Sequence, residues 1–215
     1  MFFFLGTTLY GLAYFLPSIV NQLGFSPNKT QLLSAGPFAA GFLITLPAAY
    51  LSDRFSTRVI PICVISSLSV AGFALFLRAP TKGAAYGSLY LSVPGIYASA
   101  PLIMAWMANN SEPYYQRATS TALSFVATNS GGILSTWRFP TKEGPKFVHT
   151  TIMDLVFSVL IIVGAIINAY YLNNLNDRKQ RNKVQILAPY ADDNDDGARA
   201  WLELGDKHPD FKYTL

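Results

Sequence analysis

The sequence predicts an all-α polytopic membrane protein, and three observations carry that prediction. Charged residues make up 13% of the chain and hydrophobic ones 51%, whereas about a quarter of a soluble domain is charged. The charges fall in clusters, leaving charge-free windows at Met1–Asn28, Thr30–Ser52, Val59–Leu77, Gly83–Ser111, Ala118–Trp137 and Leu155–Asn176. Each is close to or above the roughly 20 apolar residues that cross a bilayer as a helix. Finally, Ser52–Arg58 places one acid and two arginines between two such windows. Charges at the bilayer centre cost about 2.5–3.5 kcal/mol each, so this turn belongs at a membrane surface.

Trimmed to helical boundaries, the windows predict helices near Phe2–Val20, Gln31–Ser52, Val59–Leu77, Ala84–Met107, Ala118–Phe139 and Thr150–Leu172. The first has no basic leader and no small-residue cleavage pattern after Pro17, so it reads as a mature helix and not as a signal peptide. Two regions follow: a six-helix transmembrane half-bundle over 1–174 and a charged tail over 175–215. The body carries nine basic residues against four acids, and the tail seven against eight. Asp192, Asp193, Asp195 and Asp196 crowd a tail with too few apolar residues to build a core, and it is expected to be largely disordered.

If the Asp53–Arg58 turn is cytoplasmic, so are the tail and Met1, because the helix count is even. Arg54, Arg58, Arg117, Arg178, Lys179, Arg181 and Lys183 then lie inside, against Lys29, Arg78, Lys82, Arg138, Lys142 and Lys146 outside. That excess has the direction of the positive-inside rule. No basic cluster lies on a soluble element, so nucleic acid is not an expected partner; the lipid bilayer is. The single cysteine, Cys63, lies in an apolar run and reads as a small buried hydrophobe. No phosphate-cradling loop, metal-ligand spacing or nucleophile elbow occurs, which argues against an enzyme, a cofactor or a metal.

Polar residues inside membrane helices usually face a bundle interior or water. Thr7, Tyr10, Tyr14, Ser18 and Asn21 recur at spacings of three and four and share one helix face. They read either as a cavity wall or as local packing. Thr121, Ser124 and Thr128 form a second row beside Asn129, whose amide can hold a substrate or bond to a neighbouring helix. Tyr97 and Phe38 sit at similar depth and wall a cavity or pack a core. Trp106 reads as an interfacial anchor. Asp53, Arg54, Arg58 and Arg117 read as a charged gate or as topology signals alone. Asp154, the acid nearest a span, and His149 are expected at the interface. Small-residue pairs such as Gly95/Ser99 would let helices approach closely.

The turn Asp53-Arg54-x-x-x-Arg58 resembles the signature loop of the major facilitator superfamily. Ala49, Ser56 and Thr57 depart from that pattern, Ser56 standing where it has its second glycine. Leu9–Pro17, Arg117-Ala118 with Asn129–Gly132, and Gly205–Tyr213 resemble the fungal allantoate permease branch of the anion:cation symporter family. The resemblance implies the C-terminal six-helix half of a twelve-helix carrier. The partner would be a missing N-terminal half or a second copy. The substrate would be a small organic anion or carboxylate nutrient moved with a proton across the plasma membrane, with Tyr10, Tyr14, Phe38, Tyr97 and Asn129 as substrate-binding positions. The alternative is a non-transporting remnant or interaction module that associates with a full-length transporter.

Overall fold

The computed structural model describes residues 1–22, 24, 26–137, 147–190 and 198–215. Among them run six long helices: α1 (Phe2–Gln22), α2 (Pro27–Arg54), α3 (Val59–Arg78), α4 (Lys82–Asn109), α5 (Tyr114–Thr136) and α6 (Val148–Arg181). Two short helices follow, α7 (Lys183–Leu187) and α8 (Ala198–Leu204), and then a single tight turn, Gly205–Lys207. Each long helix overlaps its predicted window. Phe139, Arg138, Lys142 and Lys146 lie outside the described residues.

Among the described residues, four helices are long and apolar enough to cross a membrane: Asn28–Arg54 in α2, then α3, α4 and α6. α1 contributes a shorter apolar run, Phe2–Tyr14. α5 is diluted by Thr119, Ser120, Thr121, Ser124, Thr128, Asn129 and Ser130. Helix ends follow local chemistry. Pro27 opens α2, where its missing N–H is no loss. At α4, the Thr81 hydroxyl accepts from the Ala84 N–H at 3.2 Å.

The bundle packs α3 on α4, α1 on α5, α2 on α4 and α6 on α3. Its centre holds modest aliphatics, among them Leu12, Leu16, Ile62, Val93, Ile96 and Ile161. Apolar side chains of the same size also cover the outside: Leu32, Phe42, Leu43, Leu46, Ile60, Val64, Ile133 and Ile167 are all more than half exposed, while Phe73, Phe76, Trp106 and Phe147 are buried. In water a surface of that kind costs about 25 cal/mol per Å², and in hydrocarbon it costs nothing. An apolar exterior of this kind is what a lipid-facing bundle requires.

Small residues let the helices touch at backbone distance. On the α3–α4 seam the Ser66 and Ser99 hydroxyls are hydrogen-bonded at 3.0 Å. A Cβ on Gly95 would fall 2.4 Å from the Ser69 nitrogen, and one on Gly72 would fall 2.4 Å from the Ser92 nitrogen. The predicted Gly95/Ser99 pair is therefore part of a closely packed seam. On the α1–α5 seam, Gly6 lies against the backbone of Thr128 and Gly131 against Phe3 and Thr7.

Met1 lines one cavity with Trp106, Asn110 and Leu172, so it sits at the same end of the bundle as the tail. That end, which also carries the 55–58 turn, is called here the tail face. The largely disordered tail expected from composition is not what the described residues show. α6 continues unbroken past Leu175 to Arg181, and Tyr213 and His208 are buried. Composition misled because the segment needs no core of its own: it borrows the helix ends. The aspartate cluster 192–196 lies outside the described residues. Three further expectations change. Trp106 is buried, its indole N–H donating to the Thr214 carbonyl at 2.8 Å. Cys63 is only half-buried. Asp154, two turns into α6, is buried while His149 is exposed.

Candidate functional site

The polar stripe on α1 grades from buried to exposed. Thr7 is 1% exposed and donates to the Phe3 carbonyl at 2.9 Å. Tyr10 is half-buried, and its hydroxyl donates to Asn129 Oδ1 at 2.8 Å. Tyr14 is 62% exposed and stacks on Tyr10 with ring centres 6.0 Å apart. Asn129 itself is exposed, and with Oδ1 engaged by Tyr10 its NH₂ group presents two donors outward. Three predicted residues thus form one constellation on the α1–α5 seam, a π-face beside an amide. Ser18 and Asn21 line a shallow cavity of about 230 Å³ with Thr30 and Gln31.

The row on α5 has a different character. Thr121 donates to the Arg117 carbonyl at 2.8 Å, Ser124 to Thr121 at 2.7 Å and Thr128 to Ser124 at 2.8 Å. These hydroxyls are spent on the helix's own backbone, a way to bury them cheaply. Two groups in that row also reach another helix: Ser124 Oγ contacts Met104 Sδ on α4 at 3.7 Å, and Asn129 Oδ1 accepts from Tyr10 on α1.

Phe38 and Tyr97 meet edge to face between α2 and α4, ring centres 5.2 Å apart and planes at 84°. Both are half-buried. They form a second pair on different helices from the first. Above them on α4, Tyr86 donates to the Leu33 carbonyl at 2.9 Å and shares a 2.9 Å hydrogen bond with Tyr90. Residue-by-residue reading of the sequence missed Tyr86 and Tyr90. Their i, i+4 spacing, continued loosely by Tyr97, was the available signal.

At the tail face, Arg58 Nη2 lies 2.5 Å from Asp53 Oδ1, and Nη1 donates to Ser52 Oγ at 3.0 Å. The Arg58 side chain is 11% exposed and the Asp53 side chain 65%. Ser52 Oγ in turn donates to the Thr57 carbonyl at 3.1 Å, closing the turn. Arg54 is exposed and reaches only the Tyr50 hydroxyl at 3.4 Å. Arg117 pairs with Glu112 at 3.2 Å on the α4–α5 connection. The four predicted charges are therefore one turn-locking pair, one arginine with no ion pair among the described residues, and one separate pair; Glu112 and Ser52 were not foreseen.

Ser56 adopts φ 50, the left-handed region that costs a non-glycine residue about 1–2 kcal/mol. Ser56→Gly is expected to raise stability by about 0.5–1 kcal/mol, relief of strain exceeding the extra chain entropy of glycine. A rise in detergent melting temperature checks this; a fall would mean the turn is not left-handed there.

The major facilitator superfamily model matches residues 1–136. The chain is 26% identical over 214 residues to the high-affinity nicotinic acid transporter of Saccharomyces cerevisiae, covering 96% of this chain and 38% of that protein. It is 30% identical over 179 residues to an uncharacterised transporter of Schizosaccharomyces pombe, covering 82% of this chain and 35% of that one. With the major facilitator-type transporter hxnP of Emericella nidulans it shares 28% over 218 residues, 97% of this chain and 43% of the relative. The chain thus spans well under half the length of the curated relatives it matches. No solved structure matches. The three relatives are named as transporters and not as enzymes, which agrees with the absence of catalytic motifs. A match over more than half the chain, together with four helices among the described residues that are long and apolar enough to cross a membrane, identifies this protein as a member of the major facilitator superfamily.

Proposed function

We propose that the chain forms the C-terminal six-helix half of a secondary transporter for a small organic anion, with all six long helices crossing the membrane. The observation that carries this is the Tyr10–Tyr14–Asn129 constellation, an aromatic and amide surface left open on the α1–α5 seam. Facilitator substrate sites lie near the midplane between two six-helix halves. Such a surface would form one wall of that site, the other wall coming from an N-terminal half or a second copy. Phe38 and Tyr97 would extend it along α2 and α4. The name of one relative, the high-affinity nicotinic acid transporter, favours a carboxylate such as nicotinate. On this reading the tail face is cytoplasmic, the membrane is the plasma membrane, uptake is driven by protons, and the chain belongs with the fungal anion:cation symporters of the allantoate permease branch. Asp53, Arg54, Arg58 and Arg117 then form a cytoplasmic gate.

Uptake of labelled nicotinate tests the proposal, in cells expressing the chain alone and together with the first six helices of the yeast nicotinic acid transporter. Saturable uptake that rises as external pH falls is expected in at least one setting. Asn129→Ala should raise KM about tenfold, the loss of roughly one hydrogen bond to a charged substrate. The match to only 35–43% of its relatives' length also favours a second reading, a module that associates with a full-length carrier. Absence of uptake in both settings, with co-purification of such a carrier, would establish that reading instead.

A further inference from the structure

The last eleven residues make an unusual set of contacts for a terminal segment. Asn176 on α6 exchanges two hydrogen bonds with one residue of the segment: its NH₂ donates to the Tyr213 carbonyl at 3.0 Å, and its Oδ1 accepts from the Tyr213 N–H at 2.9 Å. Asn110, at the end of α4, does the same to Thr214 at 3.1 and 2.8 Å. Trp106 adds a third bond to Thr214, and the Arg58 N–H at the start of α3 donates to the Leu215 carbonyl. Three helices from different parts of the chain thus read the backbone of one extended stretch, as strands read a neighbour.

Lys179 fastens the other end. It is 8% exposed, and a buried ammonium is stable only when compensated. Its Nζ donates to the carbonyls of Asp206, at 3.0 Å, and Phe211, at 2.5 Å. It also lies 3.8 Å from the centre of the Tyr213 ring and 5.1 Å from that of Phe211, a cation–π setting strengthened by desolvation. Every one of those partners belongs to the segment, so the charge is accommodated only while the segment is in place. Gly205 begins the segment at φ 53, where a Cβ would meet Pro113 at 2.7 Å; only glycine fits.

We propose that residues 205–215 are a strap that ties the tail-face ends of α3, α4 and α6 into one rigid unit, with Lys179 as its peg and its Gly205–Asp206 end resting on Glu112 and Pro113 of the α4–α5 connection. The strap would set which helices move together. The inference is independent of what the protein carries.

Two measurements on the full chain test it. In a Cys63→Ser background, Asn110→Cys with Thr214→Cys should form a disulfide on mild oxidation, seen as loss of thiol labelling after denaturation while each single cysteine labels fully. A pair that stays fully labelled overturns the strap. Trypsin cleavage after Lys207 and Lys212, both exposed, should speed up about tenfold or more in Lys179→Met, the factor expected for losing charge-assisted bonds from a locally opening segment. Lys183→Ala, which removes an exposed pair with Asp210, should change cleavage by less than about fivefold. Equal rates in wild type and Lys179→Met would overturn the role of the peg. Should that variant not fold, the cysteine pair, with Lys179 intact, still decides.

Discussion

Gly95→Ala should lower the melting temperature of the detergent-solubilised protein, while Gly87→Ala, on the same helix, should leave it unchanged or raise it. The two glycines differ only in what faces them. A Cβ on Gly87 meets nothing within 4 Å, so the substitution gains helix propensity of about 0.5–1 kcal/mol over glycine. A Cβ on Gly95 would lie 2.4 Å from the Ser69 nitrogen and 2.8 Å from its Cα. Those are backbone atoms of α3 and cannot rotate away, so the helices must part. Parting them also strains the Ser66–Ser99 hydrogen bond one turn along. Overpacking costs about 1–3 kcal/mol, equivalent to a fall of roughly 2–12 °C for a chain of this size, and Gly95→Leu should lie at or beyond the upper end. Equal melting temperatures for the Gly87 and Gly95 variants would show that α3 and α4 do not meet at this seam.

Gly131→Val is expected to have the second largest effect, and it reaches the candidate site. Any Cβ there would lie 2.3 Å from the Phe3 carbonyl oxygen and 2.7 Å from the Thr7 nitrogen. α1 must move away from α5, and the 2.8 Å bond from Tyr10 to Asn129 cannot survive that movement. Stability should fall by about 1–3 kcal/mol and nicotinate uptake, where present, should be lost. Asn129→Ala separates the two effects, because Asn129 is exposed and its removal leaves the backbone seam untouched. Its melting temperature should stay near that of the wild type. If Gly131→Val kept full stability and the Asn129 variant did not, the roles assigned here to seam and site would be reversed.

The helical windows were legible because the bilayer imposes a length and excludes charge, and both are properties of a linear sequence. The Asp53–Arg58 turn was legible for the same reason. Its inner logic was not: nothing in the sequence says that Arg58 folds back onto Asp53 and Ser52 while Arg54 turns to the Tyr50 hydroxyl. Tyr10 and Asn129 were both singled out as polar groups in apolar surroundings, yet 119 residues separate them, and only the crossing of α1 and α5 makes them partners. Order in the described tail residues was not legible, because composition measures a segment's capacity to build its own core. It does not register asparagines and a lysine on distant helices that bond to the segment's backbone.

The sequence alone therefore determined the solvent, the helices and the candidate polar faces, since hydrophobicity and charge act residue by residue. The tertiary structure decided which glycines touch, which hydroxyls are spent on their own helix, and which helix ends the terminal segment joins. Those outcomes depend on distances of a few ångströms between residues far apart in the chain, and hydrogen bonds and steric contacts act only at that range.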